Sequence, residues 1–480
     1  MPSVGAAASV ALQKKYGSGQ PAVSLEPSAR SPHVSPAGNV VKATGAMNSE
    51  PILPDVGQSA QRRIARRLLP FLFILYLIAY LDRVNVGFAG LEMSLNLGFT
   101  DRVFGLGAGI FFAGYFLFEI PGAIIVERWS ARKWIARILI SWGFVTILVS
   151  MVHTPGQFYG ARFFLGAAEA GFFPGIVVYL THWFRREDRA RAGALFFSAI
   201  PIANVIGSPF AGLLLGVHWF GIPGWRWLFI MEGIPAVALG VITLFYLTDW
   251  PHEAKWLPGP EREWISGELQ KEKAAKSATG SLTAAQALGQ RDVILLALIY
   301  FLALVGLYGF NFWFPTILKR ATGLPNMTVT MIAALPYLLG VFVMLWNGWH
   351  SDRTGERRWH TAIILALCGL FMAVSVGFSG HLWTSLAFLI LSGACTTAFM
   401  PSFWQLPTAF LSESAAAASI GLINSVGGLG GFVGPFLVGY LRNRTGSFTS
   451  SMIFMFVAPV LSAALVFALR VRQAENPVRQ

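Results

Sequence analysis

Cysteine is almost absent from this chain: Cys368 and Cys395 are the only two in 480 residues. Both fall inside apolar stretches, which excludes a disulfide framework and a paired thiolate site for zinc. Charge is scarce too. Charged residues make up 12% and hydrophobic residues 55%, against roughly 45 to 50% apolar in soluble domains, so most of the chain must sit in lipid. Catalytic constellations are also missing. There is no metal-ligand cluster, nucleotide-binding glycine loop or nucleophile-histidine pair, and His153, His182 and His350 stand singly near expected helix ends; neither an enzyme nor a metal or cofactor is expected. Residues 1–60 are polar, rich in Ser, Pro and Ala, and lack a central apolar run, which excludes a cleavable secretory signal and a folded domain. They read as a disordered tail, and Met47 is a second candidate start of translation.

What the chain has instead is long apolar runs. Crossing the hydrocarbon core takes about 20 such residues, and twelve crossings are expected at about 68–90, 104–126, 134–152, 157–181, 192–216, 226–247, 292–314, 328–349, 361–379, 384–410, 416–441 and 448–470. The fold class is therefore an all-α membrane protein of twelve transmembrane helices. The 36 Lys and Arg outnumber 23 Asp and Glu, a balance that suits nucleic acid until its distribution is read. Beyond residue 60, 24 basic residues lie in the flank at Arg62, Arg63, Arg66 and Arg67, the even-to-odd loops and the carboxyl tail. The opposite loops carry six: Arg102, Arg226, Lys319, Arg320, Arg442 and Arg444. Basic loops stay cytoplasmic. Both termini and the 249–290 loop are thus expected in the cytoplasm, in a multi-pass protein of the inner membrane, and nucleic acid is not a partner.

The chain also repeats itself at an offset of about 225 residues. AIIVERWSARK (123–133) and GWHSDRTGERR (348–358) align Glu127 with Asp352, Arg128 with Arg353, Ser130 with Gly355, Arg132 with Arg357 and Lys133 with Arg358. Phe172-Phe173-Pro174 is echoed by Phe399-Met400-Pro401, and Ser208-Pro209-Phe210 by Gly434-Pro435-Phe436. In a membrane chain such a repeat points to two equivalent helical halves with a substrate site between them near the midplane, the plan of a transporter. The expected divisions are a tail at 1–61, six-helix bundles at 62–248 and 291–470, a linker at 249–290 and a tail at 471–480. Within the linker, 261–276 has mixed charge at helical spacing and reads either as a surface helix or as a solvated connection. Glu127, Arg128 and Arg132, with Asp352, Arg353 and Arg357, are candidate gating groups that clamp helix ends in one state and release them in another. Positive-inside anchoring is the alternative, but it does not need the repeated acid.

An ionised side chain inside the membrane costs roughly 2.5 to 3.5 kcal/mol on insertion scales. Asp82, Arg83, Glu119, Arg162 and Glu169 all lie within apolar runs and are expected to face a cavity. Arg162 and Glu169 are seven apart and share a face of span 4; Tyr76, Tyr80 and Arg83 share one of span 1. The orientation puts Asp82 and Arg162 in the outer half and Glu169 near the middle. Glu119 lies nearer the cytoplasm, as a gate or a second proton carrier. Buried pairs that only fix packing, Asp82 with Arg162 or Glu169 with Arg83, are the alternative, although apolar residues pack at least as well. The second half offers Ser402, Trp404 and Gln405 in span 10 and Asn424 and Ser425 in span 11, beside Pro401 and Gly427-Gly428, suited to hydrogen-bonding an anion's hydroxyls. Tyr308 and Asn311 in span 7 are further candidates. For Ser402 and Gln405, polar glue between helices is an equal alternative.

Tyr80-Leu81-Asp82-Arg83-Val84-Asn85 in span 1, Gly114 to Pro121 in span 2, the repeated acidic loops and Arg162 to Pro174 in span 4 carry a resemblance. Over about residues 62–470 the chain resembles the major facilitator superfamily, and within it the anion:cation symporter group, whose members include tartrate, phthalate, sugar-acid and hydroxyphenylacetate permeases. Ala123 and Ser130 stand where glycines are usual, while Gly348 and Gly355 keep the pattern. The resemblance implies proton coupling at Asp82 and Glu169, coupling of proton to substrate at Arg162, and substrate contact at Trp404 and Asn424. Tyr80 and Arg83 complete the expected substrate set.

Concentrating an anion inside a negative cell costs about 2.3 kcal/mol per charge for each roughly 100 mV, so a co-travelling cation is required. Asp82 and Glu169 in a low-dielectric site are expected to bind protons near neutral pH. Protonation then frees Arg83 and Arg162 for the substrate carboxylate. The favoured expectation is a monomeric proton-coupled symporter of a small carboxylate. A neutral-sugar or drug carrier of the same fold is second, and a membrane enzyme third.

Overall fold

A computed structural model describes residues 56–278, 289–407 and 413–469, and among the described residues every regular element is a helix. The expected terminal tails fall largely outside them. Among the described residues ten helical segments are long and apolar enough to cross a membrane: Val56–Leu97, Asp101–Glu119, Pro155–Trp183, Gly224–Tyr246, Arg291–Thr322, Asn326–Thr354, Arg358–Gly377, Leu382–Phe403, Ser419–Thr445 and Phe448–Phe467. They occupy ten of the twelve expected places. At the other two stand Ala131–Val149, which carries Arg132, Lys133 and Arg137, and Ala199–Leu215, which is shorter. The helices are numbered below as spans 1 to 12 in chain order. Span 1 starts at Val56, earlier than expected, and runs through Pro70.

Local chemistry sets several starts. Thr100 caps span 2 by accepting from the Val103 amide, and Asp101 stands in its first turn, where the helix dipole favours an acid. Thr154 and Gln157 form a reciprocal capping box around Pro155 at the start of span 4. Spans 4 and 10 are both interrupted. The helix from Pro155 ends at Glu169, Gly171 takes φ +84°, and a second helix starts at Phe172. Span 10 likewise stops at Cys395 and resumes at Met400. These are equivalent places in the sequence repeat. Irregular backbone at membrane depth is tolerated where protein surrounds it or it lines a cavity.

Alternation of direction puts Val56, Arg291 and Phe467 on one face, called here the near face, and Asp101, Arg320 and Arg442 on the far face. The first and second six spans are clasped at the far face. Asp101 receives two hydrogen bonds from Arg320, at 2.6 and 2.8 Å, and has Arg442 at 3.9 Å. Below this clasp spans 2 and 11 meet backbone to backbone. A methyl added at Gly105 would stand 2.5 Å from the Pro435 carbonyl oxygen, and one at Gly109 2.7 Å from that of Phe432. Phe104 meets Trp313 edge-on at 5.2 Å, and Phe112 lies 4.4 Å from Tyr308.

On the near face the linker forms the helix Gly259–Ala278. Its Glu261 takes Arg63 and Ser59 of span 1, its Glu272 pairs with Arg189 at 2.8 Å, and Ile265 is buried. These contacts hold it against the bundle.

Candidate functional site

Span 1 carries two differently directed charges. Arg83 continues the line of Tyr76 and Tyr80: the two rings lie 6.2 Å apart, and the guanidinium is 5.9 Å from the Tyr80 ring. It forms an ion pair with Glu169, whose carboxylate is fully buried. The span 4 break directly follows Glu169, so this acid sits at the end of a half-helix. Asp82 is turned about 100° away around the same helix. It accepts a 2.7 Å hydrogen bond from the Trp142 indole of span 3. Of the two expected ion pairs, Glu169 with Arg83 is present; Asp82 takes Trp142 in place of a hydrogen bond from Arg162.

Arg162 is fully buried, and none of its three guanidinium nitrogens meets a hydrogen-bond partner among the described residues. It lies 4.9 Å from the Phe111 ring, and Arg83 lies 5.6 Å from the same ring. One aromatic side chain thus serves both cations, each through a cation–π contact. The close passage of Gly166 against the Phe111 backbone makes this possible, since spans 4 and 2 touch with no side chain between them. Asp82, Glu169, Arg83 and Glu232 are the electrostatic neighbours of Arg162.

Glu119 is nearly buried, and both its oxygens are satisfied across the two halves. Asn424 donates at 2.9 Å and Ser425 at 2.7 Å. Three expected site residues therefore form one contact between spans 2 and 11. Ser402 is bonded elsewhere: it joins Asn347, Thr361 and the Phe399 carbonyl, linking spans 8, 9 and 10. Gln405 reaches Asp352 at 3.4 Å and belongs with the near-face loop. Trp404 packs edge-on against Tyr300 at 5.0 Å, and Asn311 accepts from Tyr337.

The two repeated loops differ. In the second, Asp352 pairs with Arg357 at 2.6 Å, Gly355 takes φ +68°, and Arg353 lies 5.5 Å from the Trp349 ring. In the first, Ser130 caps span 3 and donates to Asp249 at 2.6 Å, and the Arg132 amide reaches the same carboxylate at 2.9 Å. The tie of this loop is to the end of span 6, which its own spacing does not announce. The side chains of Glu127 and Arg128 lie outside the described residues.

Two sequence readings change. His350 does not stand singly: its Nδ1 lies 2.6 Å from His360 Nε2. Glu232 of span 6 is buried, with neither carboxylate oxygen hydrogen-bonded, and was absent from the expected set. An acid within the run 226–247 carries the same signal as the other five charges, but its partners lie on other helices.

The model of the Major Facilitator Superfamily matches residues 72–435 and again 296–480. A protein of Agrobacterium vitis named "Putative tartrate transporter" is 46% identical, over 88% of this chain and 97% of its own. The "Quinolone resistance transporter" of Acinetobacter baumannii is 38% identical, over 86% and 95%. The "Inner membrane transport protein RhmT" of Escherichia coli is 36% identical, over 85% and 94%. Among solved structures, a bacterial homolog of the human lysosomal transporter Spinster, inward-facing and occupied, superposes with a TM-score of 0.69 at 17% identity, covering 86% of this chain and 98% of that one. By its helices, its repeat and these matches, the chain belongs to the Major Facilitator Superfamily.

Proposed function

We propose that this protein is a proton-coupled symporter of a small organic anion, of the tartrate-like dicarboxylate, sugar-acid or aromatic-acid class. It works by alternating access as a monomer in the inner membrane, with the near face and both termini cytoplasmic. The observation that carries this reading is the buried cluster of Asp82, Arg83, Arg162 and Glu169, in which one arginine is paired and the other has all its donors free. A free guanidinium in a dry site is a strong receptor for a carboxylate. Glu169 holds Arg83 while it is ionised, and a proton on Glu169 releases Arg83 to the substrate. The names of the Agrobacterium relatives add tartrate as the first anion to try.

The bundles at 62–248 and 291–470 rock about the site, and the linker at 249–290 joins them. Glu119, with Asn424 and Ser425, acts as a latch between the halves, and the loops at Asp352 and Arg132 act as near-face gates. Tyr80 and Trp404 line the path. A drug carrier is the second reading, favoured by the identity to the Acinetobacter protein. Uptake of labelled tartrate, a neutral hexose and a quinolone into proteoliposomes, with and without an inward proton gradient, separates them. Gradient-driven tartrate accumulation is expected; quinolone or hexose movement without tartrate movement overturns the anion reading.

A further inference from the structure

The acids around Arg162 outnumber the bases. Its neighbourhood holds Asp82, Glu169 and Glu232 against Arg83 and Arg162. A dry site does not keep a net charge when a proton can remove it, so one of the three acids carries a proton. Glu169 is excluded by its ion pair with Arg83. Asp82 has one of its two oxygens satisfied, by a hydrogen bond from Trp142. Glu232 has no donor on either oxygen and is 4% exposed.

Its position follows from the packing of span 6. Gly233 and Gly143 touch through their backbones, a methyl at Gly143 standing 2.7 Å from the Gly233 carbonyl oxygen. Spans 3 and 6 run antiparallel, so Glu232 and Trp142, each one residue before its glycine, lie one step to either side of this crossing. Among the described residues the charged neighbours of Glu232 are Asp82 from span 1 and Arg162 from span 4, and spans 3 and 5, which also pack on span 6, contribute none there.

We propose that Glu232 is a further proton-binding site of this carrier, holding a proton beside Arg162 and exchanging it during transport. The proton arrives from the far-face solution on a carboxylate oxygen of Glu232 and leaves from that oxygen to the near-face solution. Once ionised, Glu232 competes with Asp82 and with a bound anion for the three unpartnered guanidinium nitrogens of Arg162. Departure of the proton therefore weakens the hold on substrate at the face where substrate must leave.

The transport arm of this inference rests on the proton-symport reading, so the test has one arm that does not. Infrared difference spectra of the purified full-length protein, taken without substrate between acidic and alkaline pH, are expected to show the carbonyl stretch of a protonated carboxylic acid. That band should be lost in Glu232→Gln and shifted but retained in Glu232→Asp. An unchanged band in Glu232→Gln overturns the proposal, whatever the substrate is. The second arm is tartrate accumulation in proteoliposomes. One proton fewer per cycle lowers the attainable accumulation ratio by about tenfold for each unit of pH gradient. Glu232→Gln should show that deficit while keeping tartrate counterflow within about twofold of wild type, and Glu232→Asp should restore it. Normal accumulation by Glu232→Gln, or loss of counterflow in both variants, overturns it. If the wild type moves no tartrate, the anion reading fails and the infrared arm still decides the proton site.

Discussion

At the scale of single residues, the paired and unpaired arginines set different tasks for their acids. Glu169→Gln is expected to abolish proton-driven accumulation while keeping counterflow, because an amide mimics the protonated acid but has no proton to release. Asp82→Asn should also lose accumulation, and its amide can still accept from Trp142. Normal accumulation in both variants would make these carboxylates structural. Arg162→Lys should lose activity severely although the charge is kept, since an ammonium cannot present a planar fork to a carboxylate and a neighbouring acid together. Substrate binding and uptake check this, and near-normal affinity in the lysine variant would favour a neutral substrate. The charged residues were legible in the sequence because the bilayer makes each one expensive. Trp142 and Phe111 were not. An aromatic residue in an apolar run looks the same whether it fills space, donates to an aspartate or sits beneath two guanidinium groups.

Among the elements, the seam between spans 2 and 11 gives the clearest mechanical test. Gly109 meets the Phe432 backbone across the halves, with no side chain in between. Gly109→Ala should wedge the far face open, weaken closure there and raise far-face accessibility of a cysteine placed at Arg102. Labelling of that cysteine in proteoliposomes checks it, and labelling equal to that of the otherwise identical carrier with Gly109 intact would mean the backbone gives way without cost. At Gly109 itself the contact is close backbone packing rather than a polar bond, so a methyl is enough to shift a two-state balance. Helix positions were legible from hydropathy. The breaks in spans 4 and 10 were only hinted at, by the echo of Phe172-Phe173-Pro174 in Phe399-Met400-Pro401. The first loop was misleading in a useful way: Ser130 in place of glycine becomes a helix cap tied to Asp249, so the turn is held by a carboxylate rather than by backbone freedom.

For the whole molecule the basic near-face loops predict an orientation that labelling measures directly. Cysteine at Gly156, in the exposed first turn of span 4, should react with a membrane-impermeant reagent from outside intact cells. Cysteine at Lys255, exposed beside the linker helix, should react only after permeabilisation. The reverse pattern would put the near face outside. The twelve-helix plan could be read from the chain because apolar runs and basic loops are whole-membrane signals. Which face is clasped could not. Closure depends on glycines and aromatic rings that serve helix packing equally well, and on Asp101, a lone acid in the first turn of span 2.

The Asp101 clasp gives the carrier a sensitivity to salinity. Its principal partner, Arg320, is 41% exposed, so dissolved ions reach the pair and compete with it. An exposed pair of this kind contributes about 0.2 to 1 kcal/mol, enough to alter an opening rate by up to about fivefold. Return of the empty carrier to the far-face-open state must break it. Turnover should therefore quicken as salt rises in the medium bathing that face, and Asp101→Asn should flatten the response in a salt series. The helix end that looks least like machinery would then tune the carrier's pace to the salt on that face.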